Sequence, residues 1–178
     1  MKKTEIIIDG LGGQGVVLAG QILGRAAVRH GKNVVQTQSY GAEARGSAAR
    51  SEIIISDSKI GFPMVRKCDV LVAMNQEAVD RNLKDLKEDS TLLVDSSVAM
   101  NVPKTKAKTY RIPATETAEK VIGEKLYANI LMLGVVTKIT KVVDEESMME
   151  AIKETFPEKT LEKNMKAYNE GIRLAASI

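Results

Sequence analysis

One cysteine, one histidine and no tryptophan stand in a chain of 178 residues. A lone thiol, Cys68, excludes a disulfide within the chain and makes the cytoplasm the expected compartment. It also excludes an iron–sulfur cluster held by this chain alone, since such clusters generally need four thiolates. No Cys/His spacing suits zinc, so no metal site is expected. Aromatic residues make up only 3% of the chain, which argues against the stacking platforms of single-strand nucleic-acid binders. A formal charge of +3 is too mild to imply a nucleic-acid or anionic-membrane partner. No apolar run approaches membrane-spanning length, and Met1-Lys2-Lys3 leads straight into an apolar run without a signal-peptide h-region.

What is present is an alternation of β-branched runs and helical patterns. Strands are expected at about 4–9, 33–37, 51–56, 69–73, 91–95 and 107–111. Helices are expected at about 14–30, 76–87, 115–123, 125–139, 145–155 and 158–176. Such alternation predicts one three-layer, Rossmann-like α/β domain over 1–178, with a mostly parallel sheet and extra C-terminal helices. In the first helix, Val16, Ala19, Gly20, Leu23 and Ala27 form one small apolar face suited to close packing on a sheet. Asn75 and Thr115 are expected N-caps. Ser56-Asp57-Ser58-Lys59 reads as a turn into a short antiparallel return at Ile60-Gly61-Phe62, and Lys84–Asp89 as a solvated helix end.

The densest chemical signal is Gly10-Leu11-Gly12-Gly13-Gln14-Gly15, a G-x-G-x-x-G pattern between a predicted strand and a predicted helix. Glycines let backbone approach a ligand, and a helix N-terminus offers free N–H groups to an anion. The same pattern also serves as a purely structural turn. A nicotinamide dinucleotide would further require an acidic residue closing the second strand. That strand instead reads Asn33-Val34-Val35-Gln36-Thr37-Gln38-Ser39, which argues against NAD.

A second cluster follows in Ser39-Tyr40-Gly41-Ala42-Glu43-Ala44-Arg45-Gly46 and continues through Arg50 to Glu52. Arg45 and Arg50 are candidates to grip phosphate or carboxylate through forked donors, while Glu43 either orients an arginine or meets a ligand. A surface or subunit-docking loop accounts for the same composition. Asn129 opens a very apolar helical run, where a buried amide must find partners, functional or structural. Asp95-Ser96-Ser97 ends a strand at the same expected edge and reads as a turn. His30 reads as a helix terminus, Cys68 as an incidental thiol and the methionines as core filler.

Together these stretches resemble the gamma subunit of 2-oxoacid:ferredoxin oxidoreductases. The matching segments are Gly10–Val16, Ser39–Gly46, Asn75–Ala78, Pro113–Glu116 and Asn129–Gly134, in family order. The resemblance implies a heteromeric complex in which a 2-oxoacid, coenzyme A and oxidised ferredoxin give acyl-CoA, carbon dioxide and reduced ferredoxin. It implies alpha, beta and delta partner subunits, which carry thiamine diphosphate, Mg2+ and [4Fe-4S] clusters, with ferredoxin as acceptor. It leaves this chain without a complete active site, and its catalytic residues unknown. Gly10, Gly12, Gly13, Gln14 and Gly15 are then expected to face coenzyme A phosphates, with Tyr40, Glu43, Arg45 and Asn129 at the shared interface. The form of the Ser39–Gly46 segment is closer to 2-oxoglutarate or branched-chain ketoacid enzymes than to pyruvate enzymes.

Overall fold

The computed structural model describes residues 2–42 and 46–178. Six strands form one sheet: β1 (Lys3–Leu11), β2 (Asn33–Tyr40), β3 (Ala48–Ser56), β4 (Cys68–Ala73), β5 (Leu86–Asp95) and β6 (Lys108–Ile112). Their order is β2-β3-β1-β4-β5-β6. β1, β4, β5 and β6 run parallel, whereas β3 is antiparallel to both its neighbours. The sheet is therefore mostly parallel, with β2 delivered by a hairpin yet pointing the same way as β1.

Side-chain alternation divides the core in two. Ile6, Ile8, Ile53 and Ile55 face a helical layer made of α1 (Val16–Arg29), α4 (Ala128–Thr140), α5 (Glu145–Thr155) and α6 (Glu158–Ala176). Ile7, Ile54, Leu71 and Leu92 face the other way, under α2 (Gln76–Asn82) and irregular chain around Val65, Ala99 and Ala107. The third layer is thus thin. The small face predicted for α1 is buried throughout, because Val16, Ala19, Gly20, Leu23 and Ala27 lie against the sheet. Gly20 has no room for a Cβ beside the Ser51 hydroxyl, so its close approach is to a side chain on β3.

Four local expectations are corrected. The antiparallel excursion is β3 itself, inserted between β2 and β1; residues 60–62 form no strand, and Pro63 lacks the N–H a ladder would need. The predicted 76–87 helix stops at Asn82, passes through a 3-10 turn (Leu83–Asp85) and becomes β5 at Leu86. There Lys87 is no solvated helix end, for its ammonium bridges Glu5 and Asp69 at 3.0 and 2.8 Å. Asn75 caps α2 as expected, its Oδ1 accepting from Ala78 N at 2.8 Å. Thr115 caps nothing, lying inside α3 (Ala114–Thr117), which continues as a π-helical turn to Ile122. Asp95, fully buried at the end of β5, accepts from the backbone and hydroxyl of Thr115 and from Ser97 N. Asp95-Ser96-Ser97 is therefore a structural turn that ties β5 to α3.

Candidate functional site

The strand directions bring the loop after β1 and the loop after β2 to one carboxyl edge of the sheet. They touch, because Gly12 N donates to Ser47 O at 2.8 Å; Gly41 N donates to Ala48 O at 2.8 Å and so closes the β2–β3 hairpin. Gly12 and Gly13 are exposed on this edge. Gly13 has φ +92° with open space around it, while Gly15, the N-cap of α1, has φ +70°. Both conformations lie in the left-handed region that favours glycine.

The motif's residues divide into two roles. Gly10 is a packing glycine, since a Cβ there would sit 2.9 Å from Met74 Cβ. Gly15 lies so close to Asn129 Nδ2 that a Cβ has no place. Gln14, expected to face a ligand, turns its amide inward: Oε1 accepts from Leu11 N at 2.7 Å, and Nε2 donates to Met74 O at 2.9 Å. Its side chain staples the turn across the ends of β1 and β4, leaving only its backbone near the ligand side. Asn129 supports the turn from below, donating to Gly15 O at 3.2 Å and accepting from Ile130 N at 2.8 Å. Among the described residues none accepts a hydrogen bond from the N–H of Gly13 or Gly15. No acidic side chain occupies the first turn of α1. Exposed glycine backbone at a helix N-terminus without its own carboxylate is a donor-rich surface for an external anion.

Beside the turn runs a cleft of about 230 Å³ with an apolar wall of Leu18, Leu126, Tyr127 and Phe156 and a polar margin from Asn129 and Thr160. The sequence did not single it out, because its walls come from α1, the 3-10 turn before α4, the residue after α5 and the start of α6, which meet only in space. Tyr40 closes β2 at the same edge and is exposed, but β3 separates it from the turn. Glu43 and Arg45 lie outside the described residues.

Arg50 is not available as a phosphate grip. Alternation along β3 turns it to the α2 face, where it donates to Glu52 Oε1 at 2.9 Å and to the Asn82 amide oxygen. The same network holds Asp9, fully buried one residue before the glycine turn. Arg81 embraces its carboxylate with two bonds at 2.7 and 3.1 Å, and Asn82 Nδ2 adds one at 2.6 Å. Asp9 is the residue sequence reasoning missed; a carboxylate ending an apolar strand, aimed at an inward position, was the available signal. The network braces the floor beneath the turn from the second face of the sheet.

Metal and redox chemistry find little here. Among the described residues no three His, Cys, Asp or Glu side chains converge as a ligand set. Burial, reinforced by the Asp85 charge, pushes the Cys68 thiol up to about 12, so it is neither thiolate nor accessible. The residues present do not fit an iron–sulfur cluster.

The family of pyruvate ferredoxin/flavodoxin oxidoreductases matches residues 5–174. The chain belongs to that family. It is a gamma subunit of a 2-oxoacid:ferredoxin oxidoreductase. Over 179 aligned residues it is 45% identical to the 2-oxoglutarate synthase subunit KorC of Methanocaldococcus jannaschii, covering 99% of this chain and 96% of the relative. The KorC subunit of Methanothermobacter marburgensis is 44% identical, with 97% and 96% covered. Among solved structures, the gamma subunit of a keto/oxoacid ferredoxin oxidoreductase from Geobacter sulfurreducens superposes with TM-score 0.88 at 41% identity, covering 98% of this chain and 99% of that one. A 2-oxoglutarate:ferredoxin oxidoreductase from Magnetococcus marinus, solved with 2-oxoglutarate, coenzyme A and succinyl-CoA bound, shares the fold with TM-score 0.90 at 24% identity. There this gamma subunit covers 32% of a longer chain.

Proposed function

We propose that this gamma subunit supplies the phosphate-facing wall of a coenzyme A site in a 2-oxoglutarate-type complex. The supporting observation is the exposed Gly12-Gly13 turn, whose Gly13 and Gly15 N–H groups meet no acceptor among the described residues. Diphosphate oxygens need such convergent donors, and a helix N-terminus without a carboxylate favours their charge. The apolar wall of the neighbouring cleft suits the uncharged pantetheine arm of that ligand. Arg45, Glu43 and Tyr40 are assigned by sequence to the same shared interface, Arg45 as the forked cation for phosphate.

In this reading the complex takes a 2-oxoacid anion, coenzyme A and two oxidised ferredoxins to acyl-CoA, carbon dioxide, two reduced ferredoxins and the proton released from the thiol. Thiamine diphosphate, Mg2+ and [4Fe-4S] clusters belong to alpha, beta and delta partners, in keeping with the ligand-poor residue set here. The names of the relatives above favour 2-oxoglutarate as substrate. A stand-alone NAD module fits poorly, because β2 closes on Ser39-Tyr40 without a carboxylate for a ribose.

The competing use of the glycines is packing alone, which Gly10 and Gly15 already perform. Gly12 separates the two readings, since a side chain there meets only ordinary contact, 3.5 Å from Ser47 O, while covering the exposed turn. In the assembled complex, Gly12→Val and Arg45→Ala are each expected to weaken coenzyme A binding by about tenfold or more, read by calorimetry. Unchanged affinity with intact assembly would refute the coenzyme A assignment.

A further inference from the structure

We propose that the free edge of β2 is the seam of a two-fold dimer of this chain, in which two sheets join through antiparallel β2–β2 pairing. The argument begins with which backbone groups point outward. Antiparallel ladders direct alternate residues to alternate neighbours. Gly12 N bonds Ser47 O, so in the β1–β3 register the odd-numbered residues of β3 serve β1. Gly41 N bonds Ala48 O, so the even-numbered residues of β3 serve β2 through its odd-numbered residues. The two assignments agree. The N–H and C=O groups of Val34, Gln36, Gln38 and Tyr40 therefore face the open edge, where β2 is the last strand of the sheet.

Edges of this kind are ordinarily protected by charge, proline, a bulge or short length. β2 has none of these over its eight residues, Asn33-Val34-Val35-Gln36-Thr37-Gln38-Ser39-Tyr40, and keeps unbroken register with β3. The opposite edge, β6, is five residues long and carries Lys108 and Arg111. On a two-fold axis every charge meets its own kind nearby, so an uncharged strand is the one suited to self-pairing.

Register follows from side-chain complementarity. With the axis at Thr37, each outward pair exchanges both backbone bonds: Val34 meets the second copy's Tyr40, and Gln36 meets its Gln38. Thr37 meets Thr37 in the intervening pair, where no backbone bonds form. Aromatic–β-branched and Thr–Thr pairs are favourable cross-strand partners. Even-numbered β2 side chains share the α1 face, as the Gln36–Ser51 bond and the Gly24–Val34 contact show. There a groove of about 610 Å³ has Gly24, Val28 and Val34 on its apolar side and Arg25, Arg29 and Glu154 on its charged rim. Tyr40 and Val28 are each 61% exposed, and this register lays the Tyr40 ring of one copy into the groove beside Val28 of the other. One arrangement thus covers two exposed apolar side chains and an unpaired edge. The paired edges run about 27 Å, and with Tyr40 and Val28 covered as well the seam lies at the small end of specific interfaces. A weak, micromolar dimer is the expected result.

Sedimentation velocity of the full chain should show a concentration-dependent monomer–dimer equilibrium. Thr37→Lys places two ammonium groups on the axis and should raise the dissociation constant by about tenfold or more. Thr37 is exposed and its side chain bonds nothing among the described residues, so unfolding is not expected, and circular dichroism checks it. Thr37→Cys gives a second, positional readout, because non-hydrogen-bonded antiparallel pairs bring Cα atoms to about 4.5 Å, within disulfide range. Mild oxidation should link Thr37→Cys into a covalent dimer and leave Val35→Cys, which faces Ser39 of the second copy, largely unlinked. A chain that stays monomeric up to about 100 μM, well above the affinity expected for such an area, would overturn the proposal. So would equal cross-linking at both positions, or hydrogen-exchange protection of β2 that arises only in the complex through a different subunit.

Discussion

Gly15 shows how one residue serves conformation and packing together. Its φ of +70° lies where a side chain is strained, and the Asn129 amide occupies the space a Cβ would need. Gly15→Ala is therefore expected to destabilise the chain by about 1–3 kcal/mol in urea unfolding. Because strain and clash are separate, the same change in an Asn129→Ala background should cost less; simple additivity would show that Asn129 is not the obstacle. Gln14 illustrates the limit of reading a ligand role from a motif. Its position in the turn was legible, but the direction of its amide depends on Met74, which the fold brings alongside from the end of β4. Asp9 shows the converse, a carboxylate whose burial becomes intelligible only once Arg81 and Asn82 are beside it.

Helix packing and helix ends carry the next level. α4 and α6 cross at Gly134 and Gly171, whose Cα atoms approach so closely that a Cβ on Gly134 would stand 3.0 Å from Gly171 Cα and 2.9 Å from Ile172 N. Backbone cannot yield as a side-chain end can, so Gly134→Ala should cost about 2–3 kcal/mol and loosen the C-terminal helix. Hydrogen exchange in α6 rising with the lost stability would bear this out; wild-type stability would contradict the crossing. At the start of α5, Asp144 caps Ser147 N at 2.6 Å and accepts from His30 Nδ1 at 2.5 Å. The Ser147 backbone N–H first, then its hydroxyl and His30, hold the Asp144 carboxyl below its ordinary 3.8. A depressed folded-state pKa contributes stability above that ordinary value, and the contribution disappears as pH falls through the folded one. Asp144→Ala should lose about 1 kcal/mol at neutral pH and flatten the acid limb, whereas Asp144→Asn should flatten it with a smaller neutral loss. Denaturation midpoints between pH 2 and 7 test both, and a parallel acid limb in the variants would exclude this carboxylate as a source. At this scale the sequence reading succeeded where periodicity was long, as in α1, α5 and α6. It failed at Leu83–Ser90, where helix-forming residues are recruited into a 3-10 turn and β5 by the Lys87 bridge to β1 and β4.

For the whole molecule the deciding fact is the mismatch between an oxidoreductase family and a chain whose single, buried cysteine cannot supply the thiolates of an iron–sulfur cluster. The purified chain is expected to be colourless and to reduce no ferredoxin or viologen dye with 2-oxoglutarate and coenzyme A. Co-expression with its partner subunits should restore turnover. Activity from the isolated chain would show that the chemistry resides here after all. No helix among the described residues is long and apolar enough to cross a bilayer.

The sequence by itself determined the α/β alternation, the small buried face of α1, the glycine turn and the family resemblance, because each is written in local spacing. Tertiary structure decided the rest: β3 inserted as an antiparallel strand, Gln14 and Arg50 drawn inward, and Asp9 buried under the turn. It also decided which edge of the sheet stays open. Those outcomes depend on partners many residues away, and a hydrogen bond or a bare strand edge takes its meaning only from what the completed fold places next to it.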